Sequence, residues 1–112
     1  EDMLNFCNHF GFKMTYDICH AALHCHHSNI SLQDYTKEVL PLVSHFHLSD
    51  AIGIDGEGVQ VGEGQINFDK FINSIGGKKD FSWVTEIWSG HVNHGTGCRH
   101  SMHNLSRYKN IL

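Results

Sequence analysis

Asp17, His47 and Glu86 are the residues of this chain whose types and positions could do chemistry together. Each falls at the carboxyl end of a segment that reads as a strand. In a parallel sheet those ends converge on one rim, where α/β proteins place their sites. Two carboxylates and an imidazole suit a divalent ion of intermediate hardness, such as Mn²⁺, Mg²⁺ or Co²⁺, with Zn²⁺ a further option. The central segment, Ser44-His45-Phe46-His47-Leu48-Ser49-Asp50, alternates in polarity. On a strand it sets His45 and His47 on one face and turns Phe46 and Leu48 toward whatever covers the sheet. Any one of these residues alone reads as an ordinary solvated strand end. Recurrence at three strand ends is what points to a site. A structural zinc site from Cys19, Cys25, His26 and His27 is also conceivable, although their spacing matches none of the usual ligand pairs.

The elements that must position these residues are read in chain order. Residues 2–10 predict a helix with Leu4 and Cys7 on its apolar stripe and Gly11 at its left-handed cap. Residues 12–19 alternate as a strand, with Phe12, Met14, Tyr16 and Ile18 on one side. The connection over 21–30 carries no clear signal. Ser31 to Asp34 forms a capping box, and the helix behind it is stopped by Pro41. The histidine strand follows near 43–49, then a long glycine-rich acidic loop over 51–66. Asn67 caps a helix carrying Phe68, Phe71, Ile72 and Ile75, which Gly76 and Gly77 end. The third strand is expected near 81–88, before a polar, glycine-rich tail with a last short helix over 103–112. Alternating helices and strands imply an α/β fold with parallel strands joined by right-handed crossovers.

The bulk properties narrow the classes. A chain of 112 residues is one domain at most. Hydrophobic content of 40% and a single proline indicate a folded chain. A net charge of −4 argues against a nucleic-acid surface. No apolar run approaches the roughly 20 residues of a membrane span, and no signal peptide is visible. With four cysteines lacking close pairing, reduced thiols in a cytoplasmic protein are expected. The first residue is Glu1, within what reads as a helix, so a piece of something longer is expected.

Asp17-Ile18-Cys19-His20, His45-Phe46-His47-Leu48-Ser49-Asp50, Gly62-Glu63-Gly64-Gln65-Ile66-Asn67-Phe68 and Thr85-Glu86-Ile87, in that order, resemble the last strands of xylose-isomerase-like TIM barrels. This is the sugar phosphate isomerase/epimerase superfamily, and the resemblance covers roughly residues 10–90. It implies a partial (β/α)8 barrel of about three βα units, with residues 1–112 forming the carboxyl-terminal portion of one barrel domain. It further implies Asp17, His47 and Glu86 as metal ligands and His20 as a catalytic, substrate-contacting histidine. Glu86 would double as an acid/base group, moving a proton next to a sugar carbonyl through an enediolate. His45, Asp50 and Glu63 would contact the sugar. The segment from Glu86 to Asn93 is similar to barrel domains joined to sialic-acid-synthase-type enzymes, which would make His91 and Arg99 anion contacts.

The chain departs from the family pattern in two ways. The first ligand glutamate and the earlier strands are absent, whereas a closed barrel needs roughly 250 residues. The missing half is expected from the same longer chain or from an oligomer partner, and the isolated chain is expected to be inactive. The arginine that ketose 3-epimerases carry six residues after the metal histidine is Gly53 here. Two other readings stand beside the isomerase. One is a non-catalytic truncated barrel acting as an interaction module. The other is an endonuclease IV-like hydrolase, which requires an Asp-x-His that occurs nowhere in the chain.

Overall fold

The structure is a computed structural model that describes residues 2–112; the expectation about Glu1 lies outside the described residues. Helix α1 (Asp2–Phe10) ends on Gly11, whose φ of 70° lets the Phe12 amide reach back to the Cys7 carbonyl at 2.9 Å. Strand β1 (Met14–Asp17) leads directly into helix α2 (Ile18–Ser28), and α3 (Leu32–Val39) follows. A 3₁₀ turn over Leu40–Leu42, with Pro41 inside it, delivers the chain to β2 (Val43–Leu48). Next come a short hairpin, β3 (Asp50–Ile52) and β4 (Gly56–Val59), then α4 (Phe68–Ile75) and β5 (Ser82–Thr85). Helix α5 (Val92–Leu105) and a 3₁₀ turn over Ser106–Tyr108 close the chain.

The main sheet has three parallel strands in the order β1-β2-β5. Each new strand is therefore added on the same side of the last, and successive right-handed crossovers in one direction lay their helices on one face. The packing agrees. Phe46 is 0% exposed, with ring centroids 6.0 Å from Tyr16, 5.9 Å from Phe71 on α4 and 5.0 Å from Phe81. The Tyr16 hydroxyl and Thr36 Oγ1 on α3 are hydrogen-bonded at 2.9 Å beneath that cover. Burial pushes the Tyr16 phenol well above its ordinary pKa.

The opposite face is bare. Asp17 stands in register with His47, and His47 with Val84, so all three share it. Val84 is 45% exposed there, although parallel sheets normally bury both faces. The aromatic rings of Phe6, Phe10 and Phe12, beside β1, are also exposed and lie within 6.0 Å of one another, centroid to centroid.

The sequence expectation differs from the structure in five places. The first strand stops at Asp17, because that carboxylate caps α2 and draws Ile18 and Cys19 into the helix. The unassigned connection is α2 itself, ended by Asn29 in the left-handed conformation at φ 54°. The glycine-rich loop contains the antiparallel β3–β4 hairpin. The third strand is shorter than expected, and the last helix begins at Val92, passing through left-handed Asn93, His94 and Gly95. No described helix is long and apolar enough to cross a membrane.

Candidate metal centre

The pattern Asp17-x-x-His20 is first a helix cap. Asp17 Oδ1 accepts from the His20 amide at 3.1 Å, which satisfies one of the donors a helix start leaves free. The same three-residue spacing folds the His20 ring back onto its cap, with Nδ1 3.0 Å from Asp17 Oδ2. So the carboxylate that ends β1 is held at both oxygens by one residue. His47 is positioned by β2, and its Nδ1 lies 3.8 Å from Asp17 Oδ2. On the other side it lies 2.5 Å from Glu86 Oε2. Glu86 follows β5, its amide bonded to the Leu48 carbonyl at 3.2 Å.

One ligand atom from each of Asp17, His47 and Glu86 lies within 4.8 Å of the others. Ligands bound at about 2.1 Å around a single ion sit roughly 3–4 Å apart, so modest contraction brings this set to coordination distance. The donor set is two oxygens and one nitrogen, and the residues are half-buried or exposed on the open rim, where a hydrated ion keeps access. These residues fit a divalent cation. Imidazole and carboxylate ligands bind a cation only when deprotonated, so affinity for it falls as pH falls. Cys19, Cys25, His26 and His27 do not converge in this way among the described residues. All four cysteines are free thiols, and burial raises the pKa of Cys19 and Cys25.

The remaining residues read from the sequence lie in various places. His45 shares the triad's face, its ring 5.3 Å from that of His47 and its Nδ1 2.7 Å from Ser82 Oγ. Asp50 is 1% exposed and its carboxylate accepts from the amides of Ala51, Gly62 and Ile66, at 2.9, 3.0 and 2.9 Å. It anchors the loop that leaves the hairpin, and a Cβ on Gly64 would lie 2.3 Å from Asp50 Oδ1. Glu63 is exposed and accepts from Gln60 Nε2 at 2.7 Å. His91 stands exposed at the start of α5, and Arg99 on that helix donates to the His94 carbonyl. None of these five joins the ligand cluster.

Glu57 is the residue sequence reasoning missed. Its Oε2 lies 2.9 Å from His20 Nε2, on the far side of the imidazole from Asp17. The chain contains two Gly-Glu-Gly runs, 56–58 and 62–64. The second supplied the resemblance, and the first reaches the site. The Glu57 hydrogen bond, followed by that of Asp17, holds the His20 pKa above the ordinary imidazole value. Trp88, two residues beyond Glu86, is exposed and rests its indole against Gly58. A concavity of about 250 Å³ lined by Ala22, Cys25, Gln33, Gln65 and Lys70 opens between α2, α3 and the start of α4, and no triad residue lines it. The triad side chains stand partly open to solvent on the rim, Glu86 most of all.

Neither protein-family models nor curated proteins match this chain.

Proposed function

We propose that the chain is part of a divalent-metal-dependent isomerase or epimerase acting on a sugar or sugar phosphate. The observation that carries the reading is the meeting of Asp17, His47 and Glu86 within 4.8 Å on one rim of a parallel sheet. Two further features support a partial barrel. The strands are added in one direction with their helices on one face, and the face that would line a barrel interior is bare. Asp17, His47 and Glu86 would hold the ion, which when bound supplies Lewis-acid polarisation of the sugar carbonyl. Glu86, exposed beside that position, takes the proton from the neighbouring carbon as a carboxylate base. His20, fixed above its cap with its ring nitrogens facing Asp17 and Glu57, keeps the Asp17 carboxylate in place beside the ion.

Epimerisation needs a second carboxylate on the opposite face of the substrate, because a proton taken and returned by one group restores the same configuration. The isolated chain, lacking that second carboxylate, is therefore inactive as an epimerase, and its Mn²⁺-loaded form is expected only to exchange the carbon-bound hydrogen next to the carbonyl of ketopentoses or ketohexoses in deuterated water, without inverting it. Mass spectrometry reads the incorporation, and Glu86→Gln should abolish it. A cation-loaded chain that incorporates no deuterium into any of these sugars contradicts the reading.

The exposed Phe6, Phe10 and Phe12 and the bare sheet face favour a second reading, a truncated barrel that works by association. Analytical ultracentrifugation separates a chain that needs its sheet covered from a module that stands alone. A bare parallel sheet is expected to self-associate as the concentration rises. A monodisperse monomer with a single cooperative melting transition marks a self-sufficient module.

A further inference from the structure

The hairpin β3–β4 crosses the rim between the two outer strands. The Gly58 amide donates to Cys19 Sγ at 3.3 Å, two residues beyond Asp17. The Gly58 carbonyl accepts from the Trp88 amide at 2.9 Å, two residues beyond Glu86. Backbone bonds on both sides thus fix the position of the neighbouring residue, Glu57. From there its carboxylate meets His20 Nε2 at 2.9 Å, and His20 Nδ1 meets Asp17 Oδ2 at 3.0 Å.

We propose that Glu57 is a positioning residue for the cation site, locking the His20 ring so that it holds Asp17 in coordinating orientation. This inference rests on the divalent-cation reading of the triad. The His20 side chain is 62% exposed and has no other described side-chain partner than these two carboxylates. Released at Nε2, it can turn about its side-chain bonds, and Asp17 Oδ2 then loses its donor. The capping bond to Oδ1 survives, so the helix stays formed while the carboxylate is less constrained. Exposed pairs of this kind contribute little to folding, which leaves ligand orientation as the role that geometry supports. Outer partners of metal ligands typically change affinity by roughly 10–100-fold when removed. Glu57 thereby extends the site into a row of alternating carboxylates and imidazoles: Glu57, His20, Asp17, His47, Glu86.

The test is isothermal titration of the full 112-residue chain with Mn²⁺, alongside melting of the cation-free protein. Glu57→Ala is expected to weaken Mn²⁺ binding at least tenfold, by the usual scale for an outer partner, while the cation-free melting temperature stays near that of the parent. Glu57→Gln, whose amide oxygen accepts the same hydrogen bond from Nε2–H, should restore most of the affinity. Glu63→Ala, which removes an equal charge from the other Gly-Glu-Gly run, should leave it unchanged. Parent affinity in Glu57→Ala overturns the proposal. So does a Gln variant as weak as the Ala variant, or an equal loss in Glu63→Ala. A parent chain that binds no Mn²⁺, or binds it equally well after Asp17→Ala, refutes the cation reading itself and is recognisably a different failure.

Discussion

His47→Ala is expected to reduce the affinity of the chain for Mn²⁺ by more than the roughly 10–100-fold that loss of an outer partner produces, because it removes a ligand outright. His47 is the middle member of the triad, 3.8 Å from one carboxylate and 2.5 Å from the other. Without the imidazole, Asp17 and Glu86 face each other across a gap with no donor between them. Asp17→Ala and Glu86→Ala should produce losses of similar size. The three differ in their side effects. Asp17→Ala also removes the α2 cap, which costs about 1 kcal/mol, whereas Glu86→Ala leaves folding nearly unchanged because its side chain is largely exposed. Calorimetric titration of the three variants, with melting curves beside it, checks both parts. Retention of parent affinity in His47→Ala counts directly against a shared ion.

The largest effect on stability is expected at Phe46, on the opposite face of the same strand. Its ring is wholly buried and packs edge-to-face against Tyr16, Phe71 and Phe81, so it joins β1, α4 and the approach to β5. Truncation to alanine removes that contact and opens a cavity between sheet and helices. The expected cost is about 3–5 kcal/mol, seen as a fall in melting temperature on the order of 10–25 °C. A loss below about 1 kcal/mol, the level of a surface change, would mean that the sheet is not covered on this side. Together, His47→Ala and Phe46→Ala separate the two faces of β2. One variant loses the cation and keeps its fold, and the other loses stability through packing alone.

Much of this division was legible in the residues. The alternation of His45, Phe46, His47 and Leu48 assigns both faces of β2 directly, and the structure buries Phe46 and Leu48 as that pattern requires. Helices α3 and α4 announce themselves by their caps, Ser31 and Asn67, each of which accepts from the amide three residues on. What was illegible has physical causes. Helix α2 carries four histidines and few large apolar residues, so no apolar stripe marks it. The glycine-rich hairpin has too few side chains to show a strand period, yet Gly58 is needed where the indole of Trp88 presses on the backbone at φ 64°. Three successive left-handed residues interrupt the start of α5, which hides it from any helical pattern.

The site was legible to the same degree. Strand-end position was enough to choose Asp17, His47 and Glu86, because parallel pairing sets Asp17 and His47 in register and brings Glu86 beside them. It gave no access to Glu57, whose approach to His20 depends on how a hairpin folds across the rim. Asp50 illustrates the converse. An aspartate three residues after a site histidine suggests a substrate contact, while the structure gives its carboxylate three backbone amides. A carboxylate buried to this extent is tolerated because those donors replace water.

Titration of the unmodified chain with Mn²⁺, followed by calorimetry and by loss of the free-ion electron paramagnetic resonance signal, tests the central claim most directly. One ion per chain should bind, with affinity that weakens as the pH is lowered and the imidazole keeps its proton. A chain that leaves the free-ion signal unchanged at millimolar Mn²⁺, or takes up several ions weakly with no pH dependence, would show that Asp17, His47 and Glu86 meet without forming a metal centre.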